Sequence, residues 1–281
     1  MKTDLIYGVE DRPPFKDALF AALQHLLAIF VAIITPPLII ASALKLDVEK
    51  TSFLVSMSLF ASGVSTFIQC RRIGPIGAKL LCIQGTSFSF IGPIIATGLV
   101  GGLPLIFGSC IAAAPIEMVV SRTFKYLRNI ITPLVSGIVV LLIGLSLIKV
   151  GIVSCGGGYS AMDDGSFGSW ENLSIAALVL LSVLFFNRCK NKYLRMSSIV
   201  FGLCLGYGLA FALGKVNMSA LNVEMLMSFN IPQPFKYGID FNISSFIAIG
   251  LVYLITAIEA TGDVTANSMI SGLPIEGDSY L

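Results

Sequence analysis

The hydrophobic positions fall in long uninterrupted blocks, with charge confined to the short segments between them. Charge-free runs cover Ala18 to Leu44 (counting His25 as neutral), Thr51 to Cys70, Leu80 to Ile116, Asn129 to Ile148, Asn172 to Asn187, Met196 to Gly214 and Phe241 to Ile258. Most reach the roughly 17 to 25 residues that cross a bilayer as a helix. The run from Leu80 to Ile116 suffices for two spans, with Gly98, Gly101, Gly102 and Pro104 near its middle. The pattern predicts an all-α polytopic membrane protein of about eight transmembrane spans.

Two places depart from a plain apolar helix. Span 1 is interrupted at Thr35-Pro36-Pro37. Internal proline frees backbone groups that lipid cannot satisfy, so this region is either a structural kink or the wall of a cavity. The third block contains Ile83-Gln-Gly-Thr-Ser-Phe-Ser-Phe-Ile-Gly-Pro93, with Gly85, Gly92 and Pro93 and an alternation of Ser87/Ser89 with Phe88/Phe90. Period two and poor helix propensity predict a short strand or broken span near 83–92 that feeds a half-helix. Extended backbone at membrane depth is tolerated only where it lines a cavity, and broken spans mark binding sites in transporters. The competing reading is an unbroken helix packed through small residues.

Composition agrees with the blocks. Of 281 residues, 56% are hydrophobic and 12% charged, about half the charge of a soluble domain. Lys and Arg alternate between sides: thirteen fall in the segments on the side of the N-terminus and five in the opposite loops. By the positive-inside rule the N-terminus is cytoplasmic. The first block is too long for a signal-peptide core and has no cleavage pattern behind it, so no removed leader is expected. The six cysteines show no Cys-x-x-Cys spacing and read as small apolar fillers, not a disulfide framework or zinc site.

The chemistry concentrates in Ala257-Ile-Glu-Ala-Thr-Gly-Asp-Val264, the only charge between Phe241 and Leu273. An Asp inside a bilayer costs at least ~2.5 kcal/mol, so it normally faces a cavity and acts on an ion or substrate. The four-residue spacing sets Glu259 and Asp263 on one helix face, about 6 Å apart along the axis. Two like charges so close and so poorly hydrated favour holding a proton on one of them near neutral pH, the chemistry of a proton-coupled carrier. The alternative ends span 8 near Glu259 and leaves both acids in water. His25 is either a proton relay or a structural donor between helices. The Gly156-Gly-Gly158 run lacks a following Lys-Ser/Thr and is not read as a nucleotide loop.

Several segments together resemble one family, the nucleobase-ascorbate transporters, and within it the bacterial xanthine permeases. They are Tyr7-Gly-Val-Glu-Asp-Arg-Pro-Pro14, Gln24-His-Leu-Leu-Ala28, Ile83-Gln-Gly-Thr-Ser-Phe88, Ile131-Thr-Pro-Leu-Val-Ser-Gly137, Ile143-Gly-Leu-Ser-Leu-Ile-Lys-Val-Gly151, Gly156-Gly-Gly158 and Glu259-Ala-Thr-Gly-Asp-Val-Thr-Ala266. The match runs in order along essentially the whole chain.

The resemblance implies fourteen spans in a 7+7 inverted repeat, with a core domain that holds substrate and a gate domain that rocks against it. Residues 1–17 would be a cytoplasmic N-terminal segment, 18–128 core spans 1–4, 129–240 gate spans 5–7, and 241–281 span 8 of the core. It further implies a purine:proton symporter, with xanthine or a related base as substrate, working by alternating access in the inner membrane. Homodimerisation would be through the gate side, with no cofactor, metal or nucleic acid. By position, Glu259, Phe88 and Ser87 match substrate-binding residues, with Ser87 where some xanthine permeases have Asn. Asp263 and Glu259 match residues of proton coupling, and His25, Gln84 and Thr86 supporting ones. A buried carboxylate can accept two N–H groups of a purine dione while a phenyl ring covers its face. Compared with the family pattern the chain stops before spans 9–14, so it is read either as a fragment or as a truncated product that need not transport by itself. The alternatives are a non-transporting membrane protein or an intramembrane metal-dependent enzyme using Glu259 and Asp263.

Overall fold

A computed structural model describes residues 7–74, 76–127, 151–190, 194–195, 197–216 and 231–272, with isolated positions between 138 and 149. Most of the expected fifth span and the motif at 131–137 lie outside the described residues. Among the described residues there are seven α-helices, most of them on the apolar blocks: α1 (Phe15–Ala43), α2 (Val48–Arg71), α3 (Ile91–Leu127), α4 (Gly158–Asp163), α5 (Trp170–Asn187), α6 (Ser198–Ala212) and α7 (Ile243–Ile270). No sheet is present among the described residues; the only β pairing there is an isolated bridge between Ile73 and Ile76.

Four stretches among the described residues are long and apolar enough to cross a membrane: Val48–Arg71, Phe88–Val120, Trp170–Asn187 and Ile243–Thr261. Their apolar side chains largely point outward, as with Leu180, Leu181 and Phe185 of α5. A helix that exposes such residues needs lipid as its solvent. The protein is a multi-pass membrane protein.

The chain divides into two compact units. The first comprises residues 1–13, 33–146 and 232–281, and the second 14–32 and 147–231. In the second, α5 and α6 pack through small residues: a Cβ added to Gly202 would lie 2.6 Å from Val183, and one added to Gly206 would lie 2.5 Å from Val179. Close backbone approach of this kind substitutes for the hydrophobic drive that lipid removes. Asn172 ties the preceding loop to α5, donating to the carbonyls of Gly156 at 2.9 Å and Ser166 at 3.0 Å.

The first unit is organised around α3 and α7. Gly102 interrupts α3 with φ 66° and ψ −160°, a conformation open essentially to glycine alone. The break is sharp, since a Cβ on Gly98 would meet the Ile106 side chain at 2.9 Å. Eight residues along a straight helix would separate them by about 12 Å. The chain thus turns where the sequence analysis places the boundary between two spans. The lead-in to α7 docks on the second half of α3, where the Asp240 N–H donates to the Pro104 carbonyl at 3.0 Å. Gly108 permits this approach: a Cβ there would stand 1.8 Å from the Asp240 carbonyl oxygen. Backbone cannot swing aside like a flexible side chain, so Gly108→Ala is expected to cost about 1–3 kcal/mol. Thermal unfolding of the two forms in detergent measures it, and equal midpoints would contradict this packing.

Helix α2 begins at an acidic cap. The Asp47 carboxylate accepts from the Lys50 ammonium and from the Lys50 backbone N–H, the latter at 2.8 Å. These bonds hold the Asp47 carboxyl below the usual carboxylate range. A carboxyl lowered in the folded state stabilises it above the ordinary carboxylate range, and that contribution is lost as pH falls through the lowered value. Asp47→Asn keeps a capping oxygen but cannot titrate, so it should flatten the acid limb of thermal stability against pH. An unchanged acid limb would show that the cap does not titrate with folding.

Candidate functional site: an extended segment held against α7

Between α2 and α3 the chain abandons helix, and residues 81–87 run without regular secondary structure. Their backbone groups cannot rely on water at membrane depth, and side chains of two helices satisfy several of them. Ser62 and Thr66, one turn apart on α2, grip residue 84: the Gln84 N–H donates to Thr66 Oγ1 at 2.9 Å, and Ser62 Oγ donates to the Gln84 carbonyl. From α7, Asn267 Nδ2 donates to the Leu81 carbonyl at 2.8 Å. From the segment itself, Thr86 Oγ1 donates to the Ile33 carbonyl of α1 at 3.0 Å.

Ser87 ends the extended stretch with φ −91° and ψ 132°. Its hydroxyl oxygen accepts from the Ser89 N–H at 3.3 Å, capping a single 3-10 turn (Phe88–Phe90) that continues directly into α3. The same hydroxyl points at Glu259 Oε2 at 3.5 Å, a weak contact longer than the roughly 2.5–3.0 Å of an ordinary O–H···O bond. A relay therefore runs from a backbone N–H through Ser87 to the Glu259 carboxylate.

Helix α7 continues past both acids to Ile270. Glu259 is half-buried and Asp263, one turn on, is exposed. Asn267 completes a polar stripe at four-residue intervals with them, so one helix face carries the two carboxylates and the amide that anchors Leu81.

Beside Ser87 lies a cavity of about 780 Å³, whose inner wall includes Gly85, Thr86, Ser87, Phe90 and Tyr253. Phe90 and Tyr253 meet edge to face with centroids 5.0 Å apart. The volume lies within the ordinary range of small-molecule pockets. Ser87 belongs to the wall and connects it to Glu259, whereas Glu259, Phe88 and Gln84 are not wall residues. The Gln84 side chain turns back toward the Cys82 carbonyl at 3.5 Å.

The structure thus brings Ser87 to Glu259 and places Gln84 and Thr86 as anchors of the segment between them. His25 is exposed and belongs to the other compact unit. The sequence does not single out Ser62, Thr66, Asn267 or Tyr253, and it marks Phe90 only through its alternation with Phe88. Among the described residues no group of three or more His, Cys, Asp or Glu could hold a metal ion.

Comparison with known proteins bears on this arrangement. The chain is 47% identical to Xanthine permease XanQ of Escherichia coli (strain K12) and 46% identical to Xanthine permease XanP of the same organism, over 99% of its own length in each case. It is 34% identical to Uric acid permease PucJ of Bacillus subtilis (strain 168) over 90% of its length. The chain spans 61%, 62% and 57% of the lengths of these three relatives. The family is one of transporters, not enzymes. With the profile of the Permease family matching residues 16–281, the chain belongs to that family, the nucleobase-ascorbate transporters that its motifs resemble.

Proposed function

We propose that the chain binds a flat oxidised purine base, xanthine or a close relative, where the extended segment meets α7, and carries it across the bacterial inner membrane together with a proton. The observation that supports this most is the Ser87–Glu259 contact at the inner wall of the cavity. In this reading the Glu259 carboxylate accepts two ring N–H groups of the base, and Ser87 supplies a hydroxyl beside it. An aromatic side chain from Phe88 or Phe90 covers the ring face. Asp263, on the same helix face and exposed, exchanges the proton with water, and the negative charge left behind tunes the hold on the base.

The eight-span topology with a cytoplasmic N-terminus, the core and gate division, and alternating access belong to the same proposal. The names of the three relatives support a purine substrate.

The test is uptake of labelled xanthine by cells that lack their own purine permeases and express the 281-residue chain, with membrane abundance measured in parallel. Accumulation that collapses when the proton gradient is dissipated is the expected result. Stable insertion without accumulation would instead make the chain a membrane protein that does not transport by itself.

A further inference from the structure

The cavity wall follows α2 from Ala61, next to the Ser62 that holds Gln84, to Phe53 about 12 Å along the helix, and the Phe53 end is aromatic. Phe53 of α2, Phe107 of α3 and Tyr237 of the lead-in to α7 line it there. Phe107 and Tyr237 are within 8° of parallel with centroids 6.3 Å apart, and Phe53 meets Tyr237 edge-on at 5.5 Å. Lys236 fixes the same segment, with its ammonium 4.5 Å from the Phe53 ring centroid and 3.3 Å from the Glu49 carboxylate.

We propose that these rings form a second, outer subsite that holds the flat base by stacking before it reaches Ser87 and Glu259. The proposal rests on the purine reading above. Two parallel rings 6.3 Å apart sit at the wide end of the range for aromatic pairs, and with Phe53 and the Lys236 ammonium, 5.4 Å from the centroid, already against Tyr237, a third ring would stack beside this loosely paired cluster. Their positions are set by backbone and ion pairing, through the Asp240 to Pro104 hydrogen bond and the Lys236–Glu49 contact, so little ordering remains for a ligand to impose. Glu49 balances Lys236, so charge does not select the ligand. Stacking is tolerant because every base has a π face. The outer subsite therefore accepts purines with little discrimination, and discrimination is left to Ser87 on the cavity wall and to the Glu259 carboxylate that it contacts.

Equilibrium binding of labelled xanthine to the purified chain in lipid nanodiscs tests this. The unsubstituted chain should show a tight and a weak component, and Glu259→Gln should retain only the weak one. Adding Tyr237→Leu to Glu259→Gln should weaken that component by about tenfold. Adding Tyr237→Phe should leave it intact, because the Tyr237 hydroxyl is buried with no hydrogen-bond partner among the described residues and the ring remains. Residual binding indifferent to Tyr237→Leu, or no residual binding in Glu259→Gln, overturns the outer subsite and leaves the inner site standing. No saturable binding by the unsubstituted chain overturns the purine reading, and the subsite with it.

Discussion

Replacing Glu259 with Gln should weaken xanthine binding by about 10- to 150-fold, the equivalent of the ~1.5–3 kcal/mol carried by hydrogen bonds to a charged group. Gln has nearly the shape of Glu, so the loss would be chemical. A carboxylate offers acceptors on both oxygens, whereas an amide turns one of them into a donor that faces the donor N–H groups of the base. Stability should change little, because the described hydrogen bond to the Glu259 side chain is the 3.5 Å contact from Ser87. Ser87→Ala removes that long contact together with the 3.3 Å cap on the Ser89 N–H, and should cost about 1 kcal/mol or less in binding. The measurement is isothermal binding on purified protein, with the thermal midpoint recorded on the same samples. Equal losses in Glu259→Gln and Ser87→Ala would move the centre of recognition from the carboxylate to the serine.

The second large effect concerns the scaffold. In a Ser62→Ala/Thr66→Val double variant, both backbone groups of Gln84 lose their partners while the volume of α2 barely changes. An unsatisfied buried polar group costs about 1–3 kcal/mol, and in lipid no water replaces the missing partner. Because both bonds end on one residue, the two substitutions should not simply add. The double variant should still insert, since α2 becomes more apolar, but it should lose thermal stability and show fast hydrogen exchange over residues 81–87. It should also bind purine poorly, because Ser87 would no longer be held near Glu259. Native stability in the double variant would mean that another element carries the extended segment.

Much of the fold was legible because lipid imposes a simple rule on sequence. The run from Thr51 to Cys70 corresponds to α2, that from Asn172 to Asn187 to α5, and that from Phe241 to Ile258 to the first part of α7. The break at Gly102 and the extended stretch before Phe88 were readable from glycine, proline and period-two alternation. The expected strand has no ladder partner among the described residues; its carbonyls and N–H groups are met by side chains instead. That solution left no local signal. Ser62 and Thr66 act 22 and 18 residues away from Gln84, and Asn267 acts 186 residues away from Leu81. Serine and threonine are ordinary in apolar helices, so their pairing emerges only from tertiary geometry. Asn267 had a clue, since it extends the Glu259/Asp263 stripe by one more turn. The aromatic wall was half visible: Phe88 and Phe90 alternate in the sequence, but which ring turns toward the cavity depends on the 3-10 turn that Ser87 caps.

The central claim is that purine binds where residues 81–90 meet α7, and photoaffinity labelling with an azido-xanthine tests it most directly. The chain would be irradiated in nanodiscs at low ligand occupancy, digested, and the attachment sites read by mass spectrometry. Attachment within residues 83–90 or 253–263, abolished by excess unlabelled xanthine, is the predicted result. Competed attachment confined to residues 151–216, in the other compact unit, would contradict the account.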